Sequence, residues 1–550
     1  MEHAALHALL YIGLIVAMGG PVAMLWLFAP SARLAENATQ RDVLLRSLET
    51  SVTRWTVCGA LAAAFAMFAD FFVAVAELNG RTIFGGADLS EVQRFAFHTT
   101  VGRLGAATLA LLLLTAGAAL LRGTWRWWLV GALAFASIAL TGDVSHAAAL
   151  PGRSPVPVGA QIAHITAAAL WMGVLLHIFF ARRFLLATPE GRPVAMLATV
   201  VGRFSPLALA TTALLGITGI VAAWRYLYGP DMVIHSPYGL TLFVKLALLT
   251  PAIYAGFINF RRIGPALARL AGEKAATGSA EARGVFSRFS RTLELEVTAG
   301  LLVITVAGIL GSVSPPGEDG SYRLTDAQAR VFLKPHLPQT NIAGWELPDD
   351  PLTPAPHELR YAEFTHNWSG LMVCLMGAAW LALSAGGNAA KWAQRAFPLV
   401  LLLFGMFIAL AANPDLWILH RYTILGAIAD PILFEHQLGG IIVFILAWLT
   451  WRDRKTPAEK QPLGYPLPVI MIIGSLLLLG HAHTVASVPD DLTNLINTQH
   501  AVFGSLGLFA GTTRLLMLRG LVPARAARFV WPSFVFALGV YMAFFYRELV

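Results

Sequence analysis

Apolar stretches of about twenty residues, separated by short polar segments, run the length of this chain. They lie near 4–28, 55–77, 98–121, 127–147, 158–180, 205–227, 239–260, 294–314, 366–386, 396–413, 434–451, 466–485, 498–518 and 528–546. A bilayer hydrocarbon core about 30 Å thick needs roughly 20 apolar residues per helical crossing, so the pattern predicts an all-α, polytopic transmembrane helix bundle of about fourteen helices. Composition agrees: 57% of residues are hydrophobic and 13% charged, about half the charge of a soluble domain. Membrane lipid is the expected solvent and partner.

The net charge of +8 raises the question of nucleic acid, and the placement of the cations answers it. Arg33, Arg41, Arg46 and Arg54, then Arg122 and Arg126, then Arg182, Arg183, Arg192 and Arg203 fall in alternate loops. Further along, the run from Arg261 to Arg291, Lys391 and Arg395, Arg452 to Lys460, and Arg514 to Arg528 keep the same alternation. That is the positive-inside bias of a membrane protein with both ends outside, N-out/C-out. No nucleic-acid partner is expected. The first segment lacks a basic start and a cleavage site, so it reads as a retained helix. Cys58 and Cys374 are isolated and read as packing residues.

Three parts follow from the spacing of the windows: an eight-helix membrane domain over 1–316, an extracytoplasmic linker loop over 317–365, and a six-helix membrane domain over 366–550. The loop at 261–293 reads as a surface helix or a basic tether. No soluble enzyme domain, Gly-rich phosphate loop or zinc motif is visible. No nucleophile has a placed base, so the chain is not expected to be an enzyme.

Histidine carries the candidate chemistry, because imidazole is the commonest transition-metal ligand and the usual axial ligand of haem iron. Of the 15 histidines, all but His177 fall at or near the outer side in the predicted topology. A lone imidazole there is more often an interfacial anchor, and the clustering changes that reading. His3 and His7 are spaced i, i+4 and share a helix face. Asp143 and His146 precede a short connection that returns His164 on the next helix. The remaining metal candidates are His98, His366, His436, His481, His483 and His500, with Asp490 and Asp491 as supporting carboxylates. Charges inside the bilayer are costly. Asp70, Lys245 and Glu296, with the soft thioethers Met18 and Met172, are therefore candidates for a transport path. Arg103 paired with Asp70 or Asp143 is the rival, purely structural expectation.

Several stretches resemble the CopD/PcoD copper resistance and copper uptake membrane proteins. They are SHAAALPG (145–152), AHITAAALWMGVLLH (163–177), FSPLALATTALLGITGI (204–220), LFVKLALLTPAIYAGFINFRRIGP (242–265) and LELEVTAGLLVITVAGILGSVSPP (293–316). HNWSG (366–370), FEHQLGG (434–440), GHAHTVASVPDDL (480–492) and NTQHAVFGSLGLFAG (497–511) look like the C-terminal helical extension of longer members. The resemblance implies copper handling at the periplasmic face of a bacterial inner membrane. It also implies a periplasmic copper carrier as partner, on a separate chain, since no such domain is fused here. Two other functions remain open: a haem-b electron-transfer protein with axial ligands among His98, His146, His164, His366, His436, His481, His483 and His500, and a scaffold delivering copper to a copper-enzyme client.

Overall fold

The structure is a computed structural model that describes residues 2–34, 38–79, 88–143, 155–186, 193–273, 279–317, 320–340, 356–411, 431–452, 464–480 and 490–548. Among these residues all regular structure is helical. Within the described residues each predicted apolar window falls on a helix. Eleven helices are long and apolar enough to cross a membrane, and the apolar stretches Gln437–Arg452 and Pro466–Gly480 are shorter. The chain divides into an N-terminal unit, Glu2–Tyr226 with Val244–Ser312, and a C-terminal unit, Leu227–Phe243 with Val313–Val550.

The N-terminal unit is built on α1 (Glu2–Val22), which runs on through a π-helical turn at Ala23–Phe28. Then come α2 (Ala38–Leu78), α3 (Leu89–His98), α4 (Thr100–Ala119) and α5 (Trp125–Asp143). A π turn at Ala169–Gly173 joins α6 (Pro155–Ala168) to α7 (Val174–Leu186). After α8 (Pro193–Tyr226), a second such junction at Asn259–Ile263 joins α9 (Pro237–Ile258) to α10 (Gly264–Gly272), and α11 (Ala280–Leu310) closes the unit. The basic loop expected at 261–293 is therefore helical in part, because α10 buries Leu267 and Leu270.

A helix apolar on every side must be surrounded, and α1 is. Leu14 and Ala17 are fully buried, and Ile15 and Val16 nearly so. Glycine allows its neighbours to come this close: a Cβ on Gly13 would lie 2.4 Å from the Gly59 carbonyl oxygen of α2. One on Gly308 of α11 would lie 2.5 Å from the Ala8 backbone. These two contacts clamp the start of α1 between α2 and α11. At the other extreme α8 exposes Leu209, Ile217, Ile220 and Trp224, the apolar surface a helix presents to lipid.

The C-terminal unit comprises α12 (Asp326–Phe332), α13 (Pro356–Ala385), α14 (Gly387–Ala411), α15 (Pro431–Arg452), α16 (Pro466–Gly480), α17 (Asp490–Leu518) and α18 (Ala524–Phe544). Part of the expected linker loop thus folds as α12, which starts on a reciprocal cap between Thr325 and Gln328. Gly370 of α13 packs on the backbone of Ala543 in α18. Arg514 is buried between Trp380 and Trp531, its guanidinium 4.4 Å from each ring centroid. Stacking on aromatic faces in this way lets a guanidinium stay charged away from water.

Candidate metal centre

The turns that start α1 place His3 and His7 one above the other, with ring centroids 5.8 Å apart. Asp70 reaches them from α2, eight residues before that helix ends. Its Oδ1 lies 2.6 Å from His3 Nδ1, and its Oδ2 lies 4.0 Å from His7 Nε2. His7 Nδ1 meets the Ser312 hydroxyl at 3.1 Å, just past α11. Ser312 lies within reach of the Gly308 carbonyl, at 3.3 Å. The three side chains are partly exposed: 23% for His3 and Asp70, and 30% for His7. One ligand atom from each of His3, His7 and Asp70 lies within 4.8 Å of the others, the one such group of three His, Cys, Asp or Glu among the described residues.

Two imidazoles and a carboxylate form a mixed N/O donor set that suits a first-row transition metal. The short His3–Asp70 contact occupies the space an ion would take between them. Ion entry would require the two groups to part and turn their ligand atoms to the metal. Ser312 holds the far ring nitrogen of His7, the kind of outer partner that fixes a ligand's orientation.

The structure corrects one expectation. Asp70 is not the partner of Arg103; it belongs to the two imidazoles, and Arg103 is exposed with no ion pair among the described residues. An Asp at the depth of His3 and His7 finds donors beside it on α1, so no guanidinium is needed to satisfy it. Matching residue depth on either side of the 33–37 connection would have indicated this grouping.

The other candidates in the N-terminal unit stand apart from this trio among the described residues. His98 is exposed at the end of α3. His164 Nδ1 lies 2.8 Å from the Thr218 hydroxyl, whose own hydrogen is directed to the Leu214 carbonyl at 2.7 Å. The imidazole is therefore the donor there, tying α6 to α8. The Lys245 ammonium is within electrostatic reach of the same ring, which disfavours a second cation beside it. His177 is buried and joins α7 to the Val16 carbonyl at 3.0 Å. His146, His481 and His483 lie outside the described residues, as do the side chains of Asp143, His436 and Asp490. Asp491 is exposed at the start of α17.

Glu296 lies deeper in the unit and is 2% exposed. Trp171 Nε1 donates to its Oε1 at 3.2 Å and Asn259 Nδ2 to its Oε2 at 3.1 Å. The Thr292 hydroxyl fixes the Asn259 amide by donating to its Oδ1. Both donors to Glu296 come from π turns, which recur at functional sites in helices. Met172, beside Trp171, is 1% exposed with its Sδ over Gly300, and Met18 packs against the same core.

In the C-terminal unit His366 of α13 and His500 of α17 approach with ring centroids 5.5 Å apart. Each directs Nδ1 to a carbonyl of its own preceding turn, Ala362 at 2.8 Å and Ile496 at 2.9 Å. Tyr546 stacks on His366 at 4.2 Å and donates to Glu548 at 2.6 Å, while the Glu548 amide donates to Glu363 at 3.2 Å. Burial pushes the Glu548 carboxyl up to about 8; the Tyr546 hydrogen bond opposes this and the Glu363 charge adds to it.

Residues 3–156 match the copper resistance protein D-like N-terminal domain, and residues 198–310 match copper resistance protein D. The copper transport protein CutJ of Bacillus subtilis (strain 168) is 27% identical over 225 residues. That alignment covers 39% of this chain and 37% of that protein's length. No solved structure matches.

Proposed function

The chain belongs to the copper resistance protein D family, and from that premise we propose that it captures copper from the outer side of a bacterial inner membrane and passes it inward. His3, His7 and Asp70 are the entry site, with Ser312 orienting His7. The observation that carries the reading is this trio, inside the stretch matched to the N-terminal domain of the family. The name of the Bacillus subtilis relative, a copper transport protein, supports transport over storage.

Copper is cargo here, so the site must release as well as bind. Partial exposure and a donor set of only three groups from this chain suit that requirement. Inward of the site, Glu296 offers a countercharge in the low-dielectric interior, where an unpaired cation is costly. Trp171 and Asn259 hold that carboxylate in place. With the N-terminus outside, as the placement of the cations implies, the trio faces the side from which a periplasmic carrier would deliver copper. A copper-enzyme client on the receiving side completes the route.

The test is copper binding and copper entry by the full chain. Purified protein titrated with copper against a chromogenic chelator is expected to show a site that His7→Ala and Asp70→Asn each weaken. Sealed proteoliposomes of wild type are expected to accumulate copper, and those of the two variants are not. Unchanged affinity and unchanged entry in both variants would overturn the assignment.

A further inference from the structure

A cavity of about 700 Å³ opens between α2 and α7. Arg46 and Arg54 line it from α2, Arg182 and Arg183 from α7. Between the helices Trp55 stacks on Phe180 at 3.8 Å and 11°. The arginine stems are supported by aromatic faces: the Arg182 guanidinium lies 3.7 Å from the Phe179 centroid and that of Arg183 4.6 Å from Phe184.

Four guanidiniums around one cavity repel one another, and among the described residues that line it there is no carboxylate. The described acids nearest in sequence to Arg46 and Arg54 are engaged elsewhere. Glu49, which lies between Arg46 and Arg54 on the chain, is paired with Arg126 at 2.7 Å, and Asp42 with Arg41 at 3.5 Å. Arg46, Arg54 and Arg183 form no ion pair among the described residues. A positive-inside bias would scatter cations along this end of the bundle; it does not require four of them to converge on a hollow from two helices.

Depth identifies the class of anion. Arg54 and Arg46 precede Asp70 on the same helix by sixteen and twenty-four residues, roughly 24 and 36 Å at 1.5 Å per residue. With Asp70 near one face of a hydrocarbon layer about 30 Å thick, the arginines lie at the headgroup level of the other face. The planar guanidinium fork matches phosphate oxygens two at a time, and basic pockets between membrane helices are suited to phosphorylated headgroups. We infer that this cavity binds the headgroup of an anionic phospholipid, with Arg46 and Arg54 on one helix and Arg183 on the other matched to a lipid bearing two phosphates and the Trp55–Phe180 stack against its glycerol and upper acyl chains.

The experiment uses the full chain reconstituted in phosphatidylcholine with cardiolipin, and separately with phosphatidylglycerol, then extracted and analysed by native mass spectrometry. Wild type is expected to retain cardiolipin at least tenfold more strongly than phosphatidylcholine, with phosphatidylglycerol between them. The Arg54→Gln/Arg183→Gln double variant is expected to lose that preference. Arg54→Lys/Arg183→Lys, which keeps charge without the fork, is expected to keep only part of it. Both variants should melt with wild type in phosphatidylcholine alone, which separates lost binding from lost fold. Retention of cardiolipin by the Gln double variant at the wild-type level would overturn the inference. So would equal retention of phosphatidylcholine by wild type, or displacement of cardiolipin by inorganic phosphate at comparable concentration, which would make free phosphate the ligand.

Discussion

Two imidazoles meet in each unit of this molecule, and the two pairs do different things. In the N-terminal unit His3 and His7 stack along one helix and turn toward Asp70 and Ser312 on other elements. In the C-terminal unit His366 and His500 come from different helices and turn Nδ1 back to their own backbones. The first arrangement gathers donor atoms around a point between elements. The second spends one nitrogen of each ring on local satisfaction and surrounds both rings with Tyr546, Phe503 and the Glu363–Glu548 pair. Residue type and placement near a helix end are alike; what separates the pairs among the described residues is the third donor, since Asp70 brings a carboxylate within ligand distance of both rings of the first pair and no such group of three forms at the second.

The comparison can be broken most directly at Asp70. Asp70→Asn is expected to weaken copper binding by about 100-fold, since it removes an anionic donor and leaves His3 with a neutral neighbour. His500→Ala should leave the same titration unchanged. Equal losses in the two variants would mean that the units share one metal function. Next in size is the clamp on α1. Gly308→Val, where a Cβ has no room against Ala8, is expected to cost about 1–3 kcal/mol of overpacking and to lower copper affinity along with melting temperature.

Acidity sharpens the contrast from the other side. The Glu548 carboxyl is held above the ordinary range in the folded state, up to about 8. Its neutral form is therefore the one the fold prefers. That contribution is present in full below the ordinary carboxylate pKa and declines as pH rises, being lost once pH has passed through about 8. Thermal unfolding of the full chain across this range should lose stability with rising pH, and Glu548→Gln should flatten that dependence. The smallest effect is expected at His98, exposed and unclustered: His98→Ala should change copper affinity by less than about twofold, within the range of neutral surface substitutions.

Hydropathy made the helices legible because lipid solvent leaves the backbone few alternatives. His3 and His7 were legible as a pair because their spacing repeats one helical turn. Asp70 is legible as a buried charge, but its partner stays open between a transport path and Arg103, since sequence fixes depth along a helix more readily than the face that meets a neighbour. The donors to Glu296 were less accessible still. Trp171 and Asn259 point to one carboxylate because each lies in a turn with an extra residue, and apolar periodicity in a helix buried on most sides carries no mark of that insertion. Among the described residues neither His98 nor His164 joins a group of three metal-ligating donors, and the partners expected for His164, Asp143 and His146, fall outside them.

The π turn at Ala169–Gly173 also makes chain register part of the chemistry. Deleting a single residue from it would let the helix close to its regular winding, with the turns on either side keeping their faces and only the side chains of the bulge itself reoriented. The indole that now reaches Glu296 would sweep toward another neighbour while the hydropathy profile stayed almost unaltered. Length at this point is thus constrained as tightly as identity, and an alignment gap there would separate relatives that keep this hydrogen bond from those that have abandoned it.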